Sequence, residues 1–155
     1  MNLNNKIYDL NLDWINNIQV NLSAVERRTA SLVKRRSVKK EYQAAWLLKA
    51  ITLIDLTTLS GDDTFGKVDR LCQKALSPIA LNILNELDIK PNTLKVGAVC
   101  VYHHLVKQAK SRINNKIPIA AVSTGFPAGL SSFSTRKKEI VNSINAGATE
   151  IDIVI

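Results

Sequence analysis

Four runs of β-branched and small apolar residues, at 51–58, 96–102, 117–123 and 149–155, alternate with stretches of helical character, and this alternation restricts the fold more than any other feature of the chain. Strand, loop, helix and strand in that order make a βα unit, and successive units build a parallel sheet. Turn chemistry marks the junctions. Ser60-Gly61-Asp62-Asp63 closes the first run and offers an N-cap to a helix from about Thr64 to Ala75. A short helix over 80–87 precedes the break at Lys90-Pro91-Asn92, and a helix through Leu105, Val106 and Ala109 follows the second run. Gly125-Phe126-Pro127-Ala128-Gly129 closes the third run ahead of a helix over 135–145, and Gly147 is placed as its C-cap.

A parallel sheet needs an architecture. No Gly-x-Gly-x-x-Gly follows the first strand and no Walker loop occurs, so the dinucleotide and nucleotide folds lack their best evidence. The (β/α)8 TIM barrel, about 250 residues long with its chemistry at the C-terminal ends of the strands, is the remaining candidate. The 155 residues hold four of its units, in 51–155, and end within the fourth strand. The expectation is an α/β chain forming the first half of a barrel, with two open sheet edges that favour self-association.

Residues 1–50 read as an N-terminal helical extension. The chain up to about Asn11 is polar and reads as a loose arm, and Trp14, Ile15, Ile18 and Val20 form a short apolar stripe. A helix starts at Ser23, which can cap, with Glu26 three residues on as a capping box. A second helix fits 38–50, where Ala44, Ala45, Leu47 and Leu48 are strong helix formers.

Composition excludes several classes. An apolar fraction of 46% with 22% charged residues is that of a globular protein. No apolar run reaches the length of a membrane span and the first residues lack the order of a signal peptide, so no membrane partner and a cytoplasmic location are expected. Cys72 and Cys100 are too few for a disulfide framework or a zinc ribbon. The net charge of +8 raises the question of nucleic acid, much of it lying in Arg27-Arg28, Lys34-Arg35-Arg36 and Lys39-Lys40. No aromatic residues interleave with these charges to stack on bases, so a solvated helix face is the better reading. A non-catalytic module that contacts RNA or an acidic partner through these helices is kept as the competing function.

Polar residues at strand ends suggest a shared mouth: Asp55 and Thr57 on the first strand, Cys100 and Tyr102 on the second, Ser123 and Phe126 after the third, and Asp152 in the fourth. Singly, each has a plain structural explanation. The coincidence of two aspartates inside strands expected to be buried on both faces does not, because an unpaired carboxylate there costs several kcal/mol unless it is bonded or kept for proton transfer. Alternation puts Asp152 on the same face as Glu150 and Val154. His103-His104 point apart and have no third ligand nearby, so no metal is assigned to them.

These residues carry a resemblance. Ile54-Asp55-Leu56-Thr57-Thr58-Leu59 with Asp62-Asp63-Thr64, then Ala98-Val99-Cys100-Val101-Tyr102, Gly125-Phe126-Pro127-Ala128-Gly129 and Gly147-Ala148-Thr149-Glu150-Ile151-Asp152-Ile153-Val154 are similar to the first half of the deoxyribose-phosphate aldolases. The extension, with Val38-Lys39-Lys40-Glu41 and Gln43 to Ala50, resembles the longer, animal-type members. The resemblance implies a class I aldolase on the eight-unit barrel. Such an enzyme cleaves the phosphosugar 2-deoxy-D-ribose 5-phosphate through a lysine Schiff base, with no metal or other cofactor. It implies that Asp152 is the proton-relay aspartate and that Asp55, Thr57, Cys100 and Phe126 line the substrate pocket. The family's imine lysine comes from later strands, so the resemblance also implies that these residues are inactive alone. His103 stands where a proline is expected after the tyrosine.

Overall fold

The computed structural model describes residues 9–35 and 37–155. Residues 1–8 of the expected arm and Arg36 of the basic run lie outside the described residues. Two compact units result, one ending at Lys39 and the other spanning Lys40–Ile155.

The first unit holds α1 (Leu12–Asn16) and α2 (Leu22–Arg35). The Asn11 side chain caps α1 by accepting from Trp14 N at 2.8 Å. In the same way Asn21 Oδ1 accepts from Ala24 N at 3.0 Å, so α2 is capped by Asn21 and not by Ser23. Asparagine is at least as good a cap as serine, and it stands directly before the first helical residue, whereas Ser23 lies inside the first turn. Along α2, helical spacing sets Leu22, Val25, Leu32 and Val33 away from Arg27 and Lys34, with Arg28 and Arg35 on the flank, and those apolar side chains are exposed.

The second unit opens with α3 (Lys40–Ile51), and four parallel strands follow: β1 (Asp55–Thr57), β2 (Ala98–Tyr102), β3 (Ile119–Ser123) and β4 (Glu150–Ile153). The first strand is much shorter than the run at 51–58. Ile51 ends α3, and Leu53 N and Ile54 N bond back to Ala50 O and Ile51 O at 3.0 and 3.3 Å, continuing the helix as a turn. Strong helix formers upstream outcompete β-branching until the chain meets β2.

Between the strands lie α4 (Phe65–Leu76), α5 (Leu81–Glu86), a 3-10 turn at His103–Leu105 leading into α6 (Val106–Ile113), and α7 (Phe133–Ala146). Thr64 caps α4. Asp63 instead ties the preceding loop, accepting from Thr58 Oγ1 and Ser60 N at 3.0 Å each and pairing with Lys67. Burial alone would push the Asp63 carboxyl up, but Lys67, Thr58 and the Ser60 amide together hold it below the usual range. Ser132 caps α7, which therefore begins two residues before the expected Thr135. Gly147, at φ +107°, ends it in the left-handed conformation foreseen for this position.

Strand order is β1-β2-β3-β4, with no reversal. Crossovers of one hand in that order put the connecting helices α4, α6 and α7 on one face, the winding of a barrel and not of a doubly wound sheet. The core agrees: Val99, Val101, Ile119 and Ala121 pack with Val68, Cys72 and Ala75 of α4 and with Val106, Ala109 and Ile113 of α6. Asp69 of α4 joins the same helices by pairing with Arg112 and accepting from Gln108. Gly97 brings the turn after α3 against β2, where an added Cβ would lie 3.0 Å from Thr52 O.

Leu105 lies in this core, 1% exposed, whereas Leu130 is 90% exposed. Leu105→Ala is expected to cost about 2–5 kcal/mol and Leu130→Ala less than about 0.5 kcal/mol, as read from urea denaturation midpoints.

Candidate active site

Strand register decides which side chains share the mouth. Thr57 stands opposite Cys100, Cys100 opposite Ala120, and Ala120 opposite Glu150; one pair further on, Tyr102, Val122 and Asp152 form a second row. Side chains at paired positions of a parallel sheet project to the same face, so Asp55, Thr57, Cys100, Tyr102, Glu150 and Asp152 share the face away from the helices. Five of the strand-end positions expected to meet, Asp55, Thr57, Cys100, Tyr102 and Asp152, are therefore on one side.

The middle of this face is closed and its flanks are open. Cys100, Ala120 and Val122 are 3%, 4% and 0% exposed, covered by Leu59, Tyr102 and Phe126. Phe126 reaches this cluster from the loop after β3, and its ring meets Tyr102 edge to face at 6.1 Å. Tyr102 also stacks on His104 at 6.1 Å. On the flanks, Asp55 and Asp152 are exposed, contrary to the expectation of strands buried on both faces. Both belong to the outermost strands of the sheet, beyond the central cluster that Leu59, Tyr102 and Phe126 cover, and both are open to water.

The acids still act on the thiol between them. The Cys100 thiol is pushed up to about 11, first by burial and then by the charges of Asp152 and Asp55, while the Thr57 hydroxyl and the Val122 backbone pull the other way. The Thr57 hydroxyl also donates to Asp55 O at 2.8 Å. Cys100 is thus a neutral, small, weakly donating group at neutral pH, and a poor nucleophile.

Ser123 departs from the expected mouth. Its parity matches Ile119 and Ala121, so it points into the helix layer, fully buried, with its hydroxyl 3.2 Å from that of Ser143 on α7. Two groups escaped sequence reasoning. Thr124 adopts φ +68° and locks the turn to β4, where its hydroxyl accepts from Val154 N at 2.7 Å. Glu139 of α7 accepts from Gly125 N at 2.9 Å. No local pattern links residue 139 to residue 125; only the packing of α7 on β3 does. His103 turns toward Glu139 and His104 toward Tyr102. Among the described residues, no group of three His, Cys, Asp or Glu side chains could hold a metal ion.

Two outcomes follow from the thiol's surroundings. Asp152→Asn removes a negative charge facing the thiolate, so the pH profile of Cys100 alkylation is expected to shift to lower pH, with Glu150→Gln leaving it in place. Cys72 is likewise pushed up to about 11, chiefly by burial. Because the two thiols ionise at higher pH folded than unfolded, the stability due to their burial is complete below the ordinary thiol range. It is lost as pH rises through about 11, which denaturation midpoints taken across that window would register.

No family model matches the chain. Over 150 residues, 95% of this chain and 47% of the relative, it is 52% identical to a deoxyribose-phosphate aldolase of Mus musculus. Over 158 residues, covering this chain completely and 50% of the relative, it is 49% identical to that of Homo sapiens. Among solved structures, deoxyribose phosphate aldolase from Aeropyrum pernix matches with a TM-score of 0.51 over 68% of this chain and 38% of that chain, at 19% identity, a likeness of fold. The chain spans about half the length of the curated relatives it matches. Four parallel strands joined by three helical crossovers, in a chain that matches about half of each relative along nearly its whole length, make it an N-terminal-like homologue of the deoxyribose-phosphate aldolases.

Proposed function

We propose that the chain supplies the substrate-lining and proton-relay half of a deoxyribose-phosphate aldolase. Such an enzyme reversibly cleaves 2-deoxy-D-ribose 5-phosphate into D-glyceraldehyde 3-phosphate and acetaldehyde. The observation that carries this reading is the gathering of Asp55, Thr57, Cys100 and Asp152 on one sheet face, at the C-terminal ends of parallel strands, where the charges of both acids act on the buried thiol. Phe126, packed over Cys100, completes the wall.

The chemistry suits that arrangement. An imine formed at C1 of the sugar accepts the electron pair of the breaking C2–C3 bond, while a base takes the proton of the C3 hydroxyl. An acid then protonates C2 of the enamine that results. Asp152 is the group assigned to move these protons, and Asp55, Thr57, Cys100 and Phe126 are assigned to the pocket wall. The imine lysine is assigned to a part of the barrel that these residues do not include, since none of the four strands ends in lysine. The 155 residues alone are therefore expected to be inactive.

Two assays test the reading. The isolated chain, given 2-deoxy-D-ribose 5-phosphate with coupled detection of glyceraldehyde 3-phosphate, should turn over no faster than its Asp152→Asn variant; a clear excess would refute the inactivity. Joined to the remaining half of the Mus musculus relative, it should cleave the sugar and form a borohydride-trapped lysine adduct in the added half. Asp152→Asn should slow that chimera by about 100-fold or more. A folded chimera that neither traps nor turns over would sink the aldolase assignment.

A further inference from the structure

Phe126 lines the pocket from a loop, and a loop needs something to hold it. Thr124 and Gly125 are both left-handed, at φ +68° and +77°, the former an unfavourable conformation for a β-branched residue. Gly125 is enclosed as well as twisted: an added Cβ would lie 2.5 Å from Ser131 Oγ. The surroundings that maintain this turn come from Val154, just past β4, through the Thr124 hydroxyl, and from α7.

The α7 contribution is a single carboxylate with two duties. Glu139 Oε2 accepts the Gly125 amide at 2.9 Å, directly before Phe126. Its Oε1 lies 3.6 Å from His103 Nδ1, directly after Tyr102, an ion pair whenever the imidazole carries its proton. One helical turn further along α7, Ser143 donates to Glu139 O at 2.9 Å and meets Ser123 Oγ at 3.2 Å, which fixes the helix against the end of β3. The side chain of Glu139 is 19% exposed, so its bond to the Gly125 amide is only lightly contested by water.

We propose that Glu139 is a positioning residue: by holding the Gly125 amide and facing His103, it sets the Tyr102–Phe126 aromatic pair over the mouth and so shapes the wall against which the sugar is held. The proposal rests on the aldolase reading for its functional meaning, but its geometry can be measured without turnover. Cys100 lies beneath the two rings and reports their position, while Cys72, buried among the helices on the other face, reports the rest of the core.

The experiment is iodoacetamide labelling of the intact chain, with each cysteine followed separately by peptide mass spectrometry and the thermal midpoint measured alongside. Glu139→Ala should raise the Cys100 rate roughly ten-fold, as loss of a charge-assisted hydrogen bond predicts, and leave Cys72 at the parent rate. Glu139→Gln keeps an oxygen for the Gly125 amide and should stay within about two-fold of the parent. A parental Cys100 rate in Glu139→Ala, equal acceleration of both cysteines, or Glu139→Gln labelling as fast as Glu139→Ala would each overturn the proposal. Because no product is assayed, such a result leaves the aldolase reading standing, and failure of the chimera leaves the loop's geometry untouched.

Discussion

The parallel register of the four strands is the constraint on which the rest of the molecule depends. A slip of one residue would exchange the faces, sending Val99, Val101, Ile119 and Ala121 out of the helix layer and the mouth-side Cys100 and Asp152 into it. Each large aliphatic side chain lost from the core would forfeit about 1.5–3 kcal/mol. Each carboxylate forced beneath a helix would cost several kcal/mol unless neutralised. Packing on one face thus specifies which strand residues the other face presents.

That division explains where polar groups are tolerated. The two central strands carry small or neutral residues toward the mouth, Ala98, Cys100, Ala120 and Val122, all nearly buried. Carboxylates appear on the flanking strands, Asp55 on β1 and Glu150 and Asp152 on β4, where water reaches them. Burial first, and then the charges of Asp152 and Asp55, push the Cys100 thiol up at the centre. The loops extend the same logic: Glu139 lends a carboxylate from the helix layer to a backbone amide at the rim, and the Phe126 ring follows from where that amide is held.

Much of this was legible in advance, for identifiable reasons. Gly147 and the turn from Gly125 to Gly129 are local features, and local sequence determines them. Parity placed Asp152 with Glu150 and Val154, and equal spacing placed Asp55 with Thr57, because strand alternation is strictly periodic. Boundaries were less legible: Ile51 went to helix and not strand, and Asn21 took the cap expected of Ser23, since in both places neighbouring preferences compete within a fraction of a kcal/mol. Ser123 ends its strand as expected but shares the parity of Ala121, which turns it into the helix layer and away from the mouth.

By itself, then, the sequence determined the alternation of strand and helix, the parallel sheet, and the parity that pairs Asp55 with Thr57 and Asp152 with Glu150, all of which follow from periods of two and 3.6 residues along one chain. Only the tertiary structure decided how exposed those acids are, which groups cover Cys100, and that Glu139 reaches Gly125. Burial and long-range hydrogen bonds depend on which elements pack together, and a residue on α7 learns its partner on the β3 loop only when helix and strand have met.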